Sequence, residues 1–211
     1  MINEMSNVKV ETNPLPSFVC DDVVSSDEIA EILDHWPDQA AMTDEPGMGG
    51  TRSWVELIIQ DELQDLTKLG PNNFCWESFT KTKLASLIQE IARIFEPYIK
   101  SRLSAFDYRE CFVGQATLFQ ANDDFELHGV HTHYSIGPHW IFTGLLQIDD
   151  GASNERGSRF YGLDEEPEVV TAKLDVVRNH FPAHKPVIDT GFQPGRLVTF
   201  LEGPTSLHGS T

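Results

Sequence analysis

Basic residues are scarce in this chain of 211 residues, where 15 Lys and Arg stand against 33 Asp and Glu for a net charge of −18. A surface that acidic repels a phosphate backbone and an anionic lipid layer alike, so neither nucleic acid nor membrane is expected as a partner. Long apolar runs are missing as well. No stretch of eighteen apolar residues occurs, and no positively charged start leads into an apolar segment, so neither a membrane span nor a secretory signal is expected. Cysteine is sparse and odd in number. Cys20, Cys75 and Cys111 lie far apart, which fits free thiols packed in a core, a reducing compartment and a cytoplasmic location.

What is present is 40% hydrophobic residues, enough for one sizeable core, and a single domain is expected over 1–211. Residues 1–13 are polar and expected to be poorly ordered. From Pro14 to Cys20 the chain reads as extended, and Ser25 or Ser26 can cap the helix that follows. Asp27 and Glu28 fall in its first turn, near the positive end of the dipole; Ile29, Ile32, Leu33 and Trp36 form an apolar face, and Pro37 marks its end. Residues 42–50 are rich in Gly, Pro and acids and read as a loop, with a strand at 51–59. Leu84, Leu87, Ile88, Ile91, Ile94, Phe95 and Tyr98 recur every three or four residues and predict a helix over 80–98, which Pro97 should kink or end. Beyond Tyr108 short apolar runs alternate with Gly, Pro, Asn and Asp, the texture of a β-sandwich or barrel. There 111–119 reads as a strand and 122–124, with Asp123 and Asp124, as a turn. Residues 140–148 are apolar on both faces and expected in a central strand, 149–156 as a loop, and 169–187 as irregular or weakly stranded.

Four of the eight histidines fall within His128-Gly-Val-His-Thr-His-Tyr-Ser-Ile-Gly-Pro-His139. In a strand, residues i and i+2 point to one face, so His131 and His133 can present two imidazoles to one ion. The best third ligand is His208, in Leu207-His-Gly209, which follows the strand-like run Leu197-Val-Thr-Phe-Leu201. Imidazole suits iron, zinc, copper and nickel, so the histidines alone do not choose the metal. His128 and His139 lie off the i, i+2 pair and are assigned to the surroundings of the metal or to the surface. His35, His180 and His184 are expected at the surface.

In these residues the chain resembles the iron(II)- and 2-oxoglutarate-dependent dioxygenases, in particular their prolyl-hydroxylase-like branch. That family holds iron with a His-X-Asp pair on one strand and a distal His on a later one. Val130-His-Thr-His-Tyr-Ser135 stands where the pair is expected, and Phe192-Gln-Pro-Gly-Arg-Leu-Val-Thr-Phe-Leu201 with Leu207-His-Gly209 resembles the approach to the distal His. Thr143-Gly-Leu-Leu-Gln-Ile148 and Gly157-Ser-Arg-Phe-Tyr161 are similar to the middle strands. The resemblance implies a mainly β, α+β chain: a double-stranded β-helix, or cupin-like jelly roll, at 107–211, supported by helices and a strand at 14–106. It implies Fe(II) on His131, His133 and His208, with 2-oxoglutarate as cosubstrate and a small-molecule or peptide substrate. Two departures accompany it. His133 replaces the carboxylate, leaving one more positive charge on the metal. The Arg or Lys that the family carries beyond the distal His, suited to the far carboxylate of 2-oxoglutarate, is absent from the three residues after His208. Arg159 is the expected substitute. The alternatives are a three-histidine, cupin-like metal dioxygenase or lyase that does not use 2-oxoglutarate, and a non-catalytic or truncated binding member. A missing last strand leaves a sheet edge through which a homodimer is expected to form.

Overall fold

Pro14 and Pro16 favour an extended chain, and Ser17–Cys20 follows as β1. The computed structural model describes residues 5, 8–47, 50–101, 103–111, 113–121, 141–148, 157–162, 186–203 and 206–210. Over these residues the chain is mixed α+β, with three antiparallel sheets and few helices. It packs as two compact units, one within 24–125 and the other formed by 5–23 and 126–211.

In the first unit, Ser26–Asp34 forms α1 behind a capping box. Glu28 N–H donates to Ser25 Oγ at 3.3 Å, and Ser25 N–H donates to the Glu28 carboxylate at 2.9 Å. Two helix-end donors are thereby satisfied. Ile29 and Ile32 are buried along its inner face. Thr43–Gly47 is β2, Gly50–Ile59 is β3, and the two pair antiparallel. The loop expected at 42–50 is therefore mostly strand. Pro46 and the acids read as strand breakers, but among the described strands β2 has a partner on one side only, where a missing N–H is tolerated. The Ser53 hydroxyl and the Gln39 amide donate to Asp44 at 2.7 and 2.8 Å, which satisfies one of those acids. Glu62–Leu63 adds β4 beside β3, and Gln115–Ala121, as β5, runs along its other edge past a bulge between Glu56 and Ile58. β5 starts later than the expected 111–119 because Tyr108–Glu110 coils into a short 3₁₀ turn, with Cys111 N–H bonded back to the Tyr108 carbonyl.

The long helix is also longer than its apolar repeat. Asn73–Ser78 is α2, Phe79–Leu84 is a π-helical segment and Ala85–Lys100 is α3. Leu87, Ile91, Ala92, Phe95 and Ile99 are buried, the face expected from the spacing. Pro97 lies in the last turn without ending the helix. A proline removes one N–H only, Ile99 remains buried, and Leu103 N–H still reaches the Ile99 carbonyl at 2.8 Å. His35, expected at the surface, is half-buried, with its ring edge against Phe74 and its carbonyl accepting from Trp76 Nε1 at 2.8 Å.

The second unit holds two three-stranded sheets. Phe142–Leu146 is β6, Ser158–Tyr161 is β7, Pro186–Asp189 is β8, Leu197–Leu201 is β9 and His208–Ser210 is β10. One sheet runs β1-β9-β6 and the other β10-β7-β8. Among the described strands the centre of the first sheet is β9, not the expected 140–148 run. All five β9 residues are buried, while β6 is mostly half-buried. Thr199 is accommodated there because its hydroxyl donates to the Thr143 carbonyl at 2.7 Å. Leu15, Phe160, Val198 and Phe200 form a core cluster, with Leu145 and Ile188 packed against it. The sequence division at 106/107 falls inside the first unit: β5 pairs with β3, while β1 joins β9 in the second. Cys20, Cys75 and Cys111 carry free thiols. Among the described residues no helix is long and apolar enough to cross a membrane.

Candidate functional site

His208 sits where the two sheets of the second unit meet. Strand alternation sends Val198 and Phe200 to one face of β9 and Leu197, Thr199 and Leu201 to the other. On β10, His208 is paired directly with Phe160 of β7, so the two side chains share a face. Both rings lie against Phe200: Phe160 edge-on with centroids 5.2 Å apart, His208 tilted at 4.4 Å. The imidazole is 5% exposed, and its neighbour Leu207 is fully buried.

One hydrogen bond fixes the chemistry of this ring. His208 Nδ1 lies 2.9 Å from the Ser206 carbonyl oxygen. A carbonyl only accepts, so Nδ1 carries the proton. Metal-ligating histidines are commonly oriented in this way, with the second nitrogen bonded to a backbone carbonyl or a carboxylate. His208 is oriented in that way, through Nδ1, by the Ser206 carbonyl.

A buried carboxylate that the motif reading passed over lies beside it. Glu202, the first residue after β9, is 7% exposed. Its Oε1 accepts from the Thr143 hydroxyl and its Oε2 from the Ser206 hydroxyl, the latter at 2.9 Å. Its own N–H is bonded to the Ile141 carbonyl at 2.9 Å. The available signal was the run Leu197-Val-Thr-Phe-Leu201, apolar on both faces and hence interior. The first polar residue after such a strand stays in the interior unless the chain turns outward at once.

Arg159 is placed differently. It pairs with Gly209 on β10 and with Asp189 on β8, one residue out of step with the Phe160 and His208 pair, and so on the opposite face of that sheet. Its Nε donates to the Asp189 carboxylate at 2.7 Å. A second guanidinium in this unit carries no motif in the sequence. Arg196, whose side chain is 16% exposed, binds Asp21 at 2.5 Å, Gln193 Oε1 at 3.0 Å and the Thr190 carbonyl. Its donors tie the segment between β8 and β9 to the end of β1.

His131 and His133, together with His128, His139, Asp123 and Asp124, lie outside the described residues, as do 149–156 and 169–185. Among the described residues no three His, Cys, Asp or Glu side chains converge to hold a metal ion. No family model matches the chain, and no curated protein or solved structure is significantly similar to it.

Proposed function

We propose that the chain is a non-haem iron oxygenase in which His131, His133 and His208 hold the metal and 2-oxoglutarate serves as cosubstrate. The observation that carries this reading is His208 itself, a buried histidine whose Nδ1 donates to a backbone carbonyl, the orientation common among metal-ligating histidines. The strand order supports the jelly-roll part of it. In chain order, β6 lies in one sheet, β7 and β8 in the other, β9 in the first again and β10 in the second, an alternation that suits a double-sheet jelly roll. Iron at this place supplies activation of dioxygen for oxidation of a substrate C–H bond, with 2-oxoglutarate as the reductant. The contribution of the chain is to orient the ligands and keep water away. Phe160, Phe200 and Leu207 make the surroundings of His208 apolar. The test is anaerobic titration of iron(II)-loaded protein with 2-oxoglutarate. The weak visible charge-transfer band of the chelate is expected in the native chain and absent from His208→Ala.

One observation favours a second reading, a three-histidine, cupin-like dioxygenase or lyase that does not use 2-oxoglutarate. Arg159 faces away from His208 and is paired with Asp189, so its guanidinium is already engaged by an internal carboxylate. Stoichiometric iron binding with no band on adding 2-oxoglutarate selects this second reading.

A further inference from the structure

We infer that Glu202 is the positioning residue of the site: through Ser206 it holds His208 in the tautomer that makes Nε2, rather than Nδ1, the ligating nitrogen. This rests on the reading of His208 as a ligand. The geometry is a short relay. Glu202 takes the Ser206 hydroxyl at 2.9 Å, and the carbonyl of the same Ser206 takes the His208 Nδ1 proton at 2.9 Å. Ser206 is 1% exposed and held from several sides. Its N–H donates to the Gly203 carbonyl at 3.1 Å, Gly203 N–H donates into its Oγ at 3.2 Å, and the Gly203 carbonyl also lies 2.8 Å from that Oγ. The hydroxyl has one proton for two acceptors, so the Glu202 carboxylate competes for it with the Gly203 carbonyl.

Glu202 is itself anchored on the β6 side. Thr143 on β6 donates to its other oxygen, and its N–H is tied to Ile141. On the far side, Tyr161 N–H donates to the Leu207 carbonyl at 3.0 Å, so the residue between Ser206 and His208 is fixed to β7. The direction of the Ser206 carbonyl is thereby set from the β6 side by Glu202 and from the β7 side by the strand pairing. Glu202 thus reaches His208 through one intervening residue, Ser206.

The test uses the full chain, first without metal. Nitrogen-15 labelling of histidine reports the tautomer of each ring in alkaline buffer, and His208 is identified by the signal lost in His208→Gln. The native chain is expected to show His208 protonated at Nδ1. Glu202→Gln and Ser206→Ala, used as a pair because a single change at a buried site can unfold the chain, are expected to shift His208 toward the Nε2-protonated form. Cobalt(II) affinity should then fall about 10- to 100-fold. Ser206→Thr, which restores the hydroxyl, should recover both. A tautomer and a cobalt affinity unchanged in folded Glu202→Gln and Ser206→Ala would overturn the inference and leave Glu202 a packing residue. If the tautomer shifts as expected while native protein takes up no metal, the positioning role stands and the metal reading fails.

Discussion

A single histidine carries the functional reading, and its value lies in which nitrogen holds the proton. His208 was legible from the pattern Leu-His-Gly after an apolar strand, because that spacing alone returns the chain to the sheet interior. Glu202 was not, because a glutamate before Gly203-Pro204 reads as the start of a turn, and its burial follows from hydrogen bonds to residues 59 and 4 positions away in the chain. Arg159 was legible as a strand residue, but which face it takes depends on the register of β7 against β10, and a shift of one residue reverses that face. Close backbone approach is equally hidden. A Cβ built on Gly157 lies 2.5 Å from the Gly191 carbonyl carbon, a contact no side chain can make. Gly157→Ala is expected to cost about 2 kcal/mol or more. Denaturant unfolding measures this, and a loss within experimental error would show that the two backbones separate easily.

At the scale of elements, α1 is the best-determined piece, since its cap, first-turn acids and apolar face all agree. It is tied to the π-helical segment by an ion pair between Glu28 and Lys83. Burial acts to raise the Glu28 carboxyl, but hydrogen bonds from Lys83 and from Ser25 outweigh it and bring the group down to about 2 from an ordinary 4.5. A depressed carboxyl contributes stability that is fully present above its unfolded value and is lost as pH falls through the folded one. The contribution should therefore disappear between about pH 4.5 and pH 2. Lys83 is raised above 10.5 by the same bond, so its share persists until strong alkali. Lys83→Met is expected to cost about 1 kcal/mol at neutral pH, after discounting for solvent screening, and to flatten that acid limb. Ser25→Ala should cost about 1 kcal/mol through loss of the cap. A Lys83→Met chain with an acid limb as steep as the native one would show that the pair contributes nothing. Elements set by neighbours in space were the ones misread. β2 is a strand because β3 pairs with it, and among the described strands β9 rather than β6 is central because β1 takes its other edge.

For the whole molecule, the charge of −18 was plain from composition and has a direct consequence. Like charges repel across a folded surface, and salt screens them over about 10 Å at 0.1 M. The melting temperature should rise by several degrees between about 0.02 and 0.5 M sodium chloride, whereas a flat profile would mean that the acids are already neutralised by local partners. The division into two units was not legible, because β1 leaves its neighbours in sequence to pair with β9, more than 170 residues later, and nothing local signals that pairing. The expected ligands of the site likewise stand 77 residues apart, from His131 to His208, but there the histidine spacing is visible in the sequence. The most direct test of the account is therefore the amount of cobalt(II) bound per chain, followed by its visible absorption, in the native protein and in His131→Ala, His133→Ala and His208→Ala. One tightly held ion per native chain is expected, with a loss of affinity of about 100-fold or more in each variant, since losing a ligand costs at least as much as disturbing a group behind one. No stoichiometric binding by the native chain, or native affinity in His208→Ala, would contradict it.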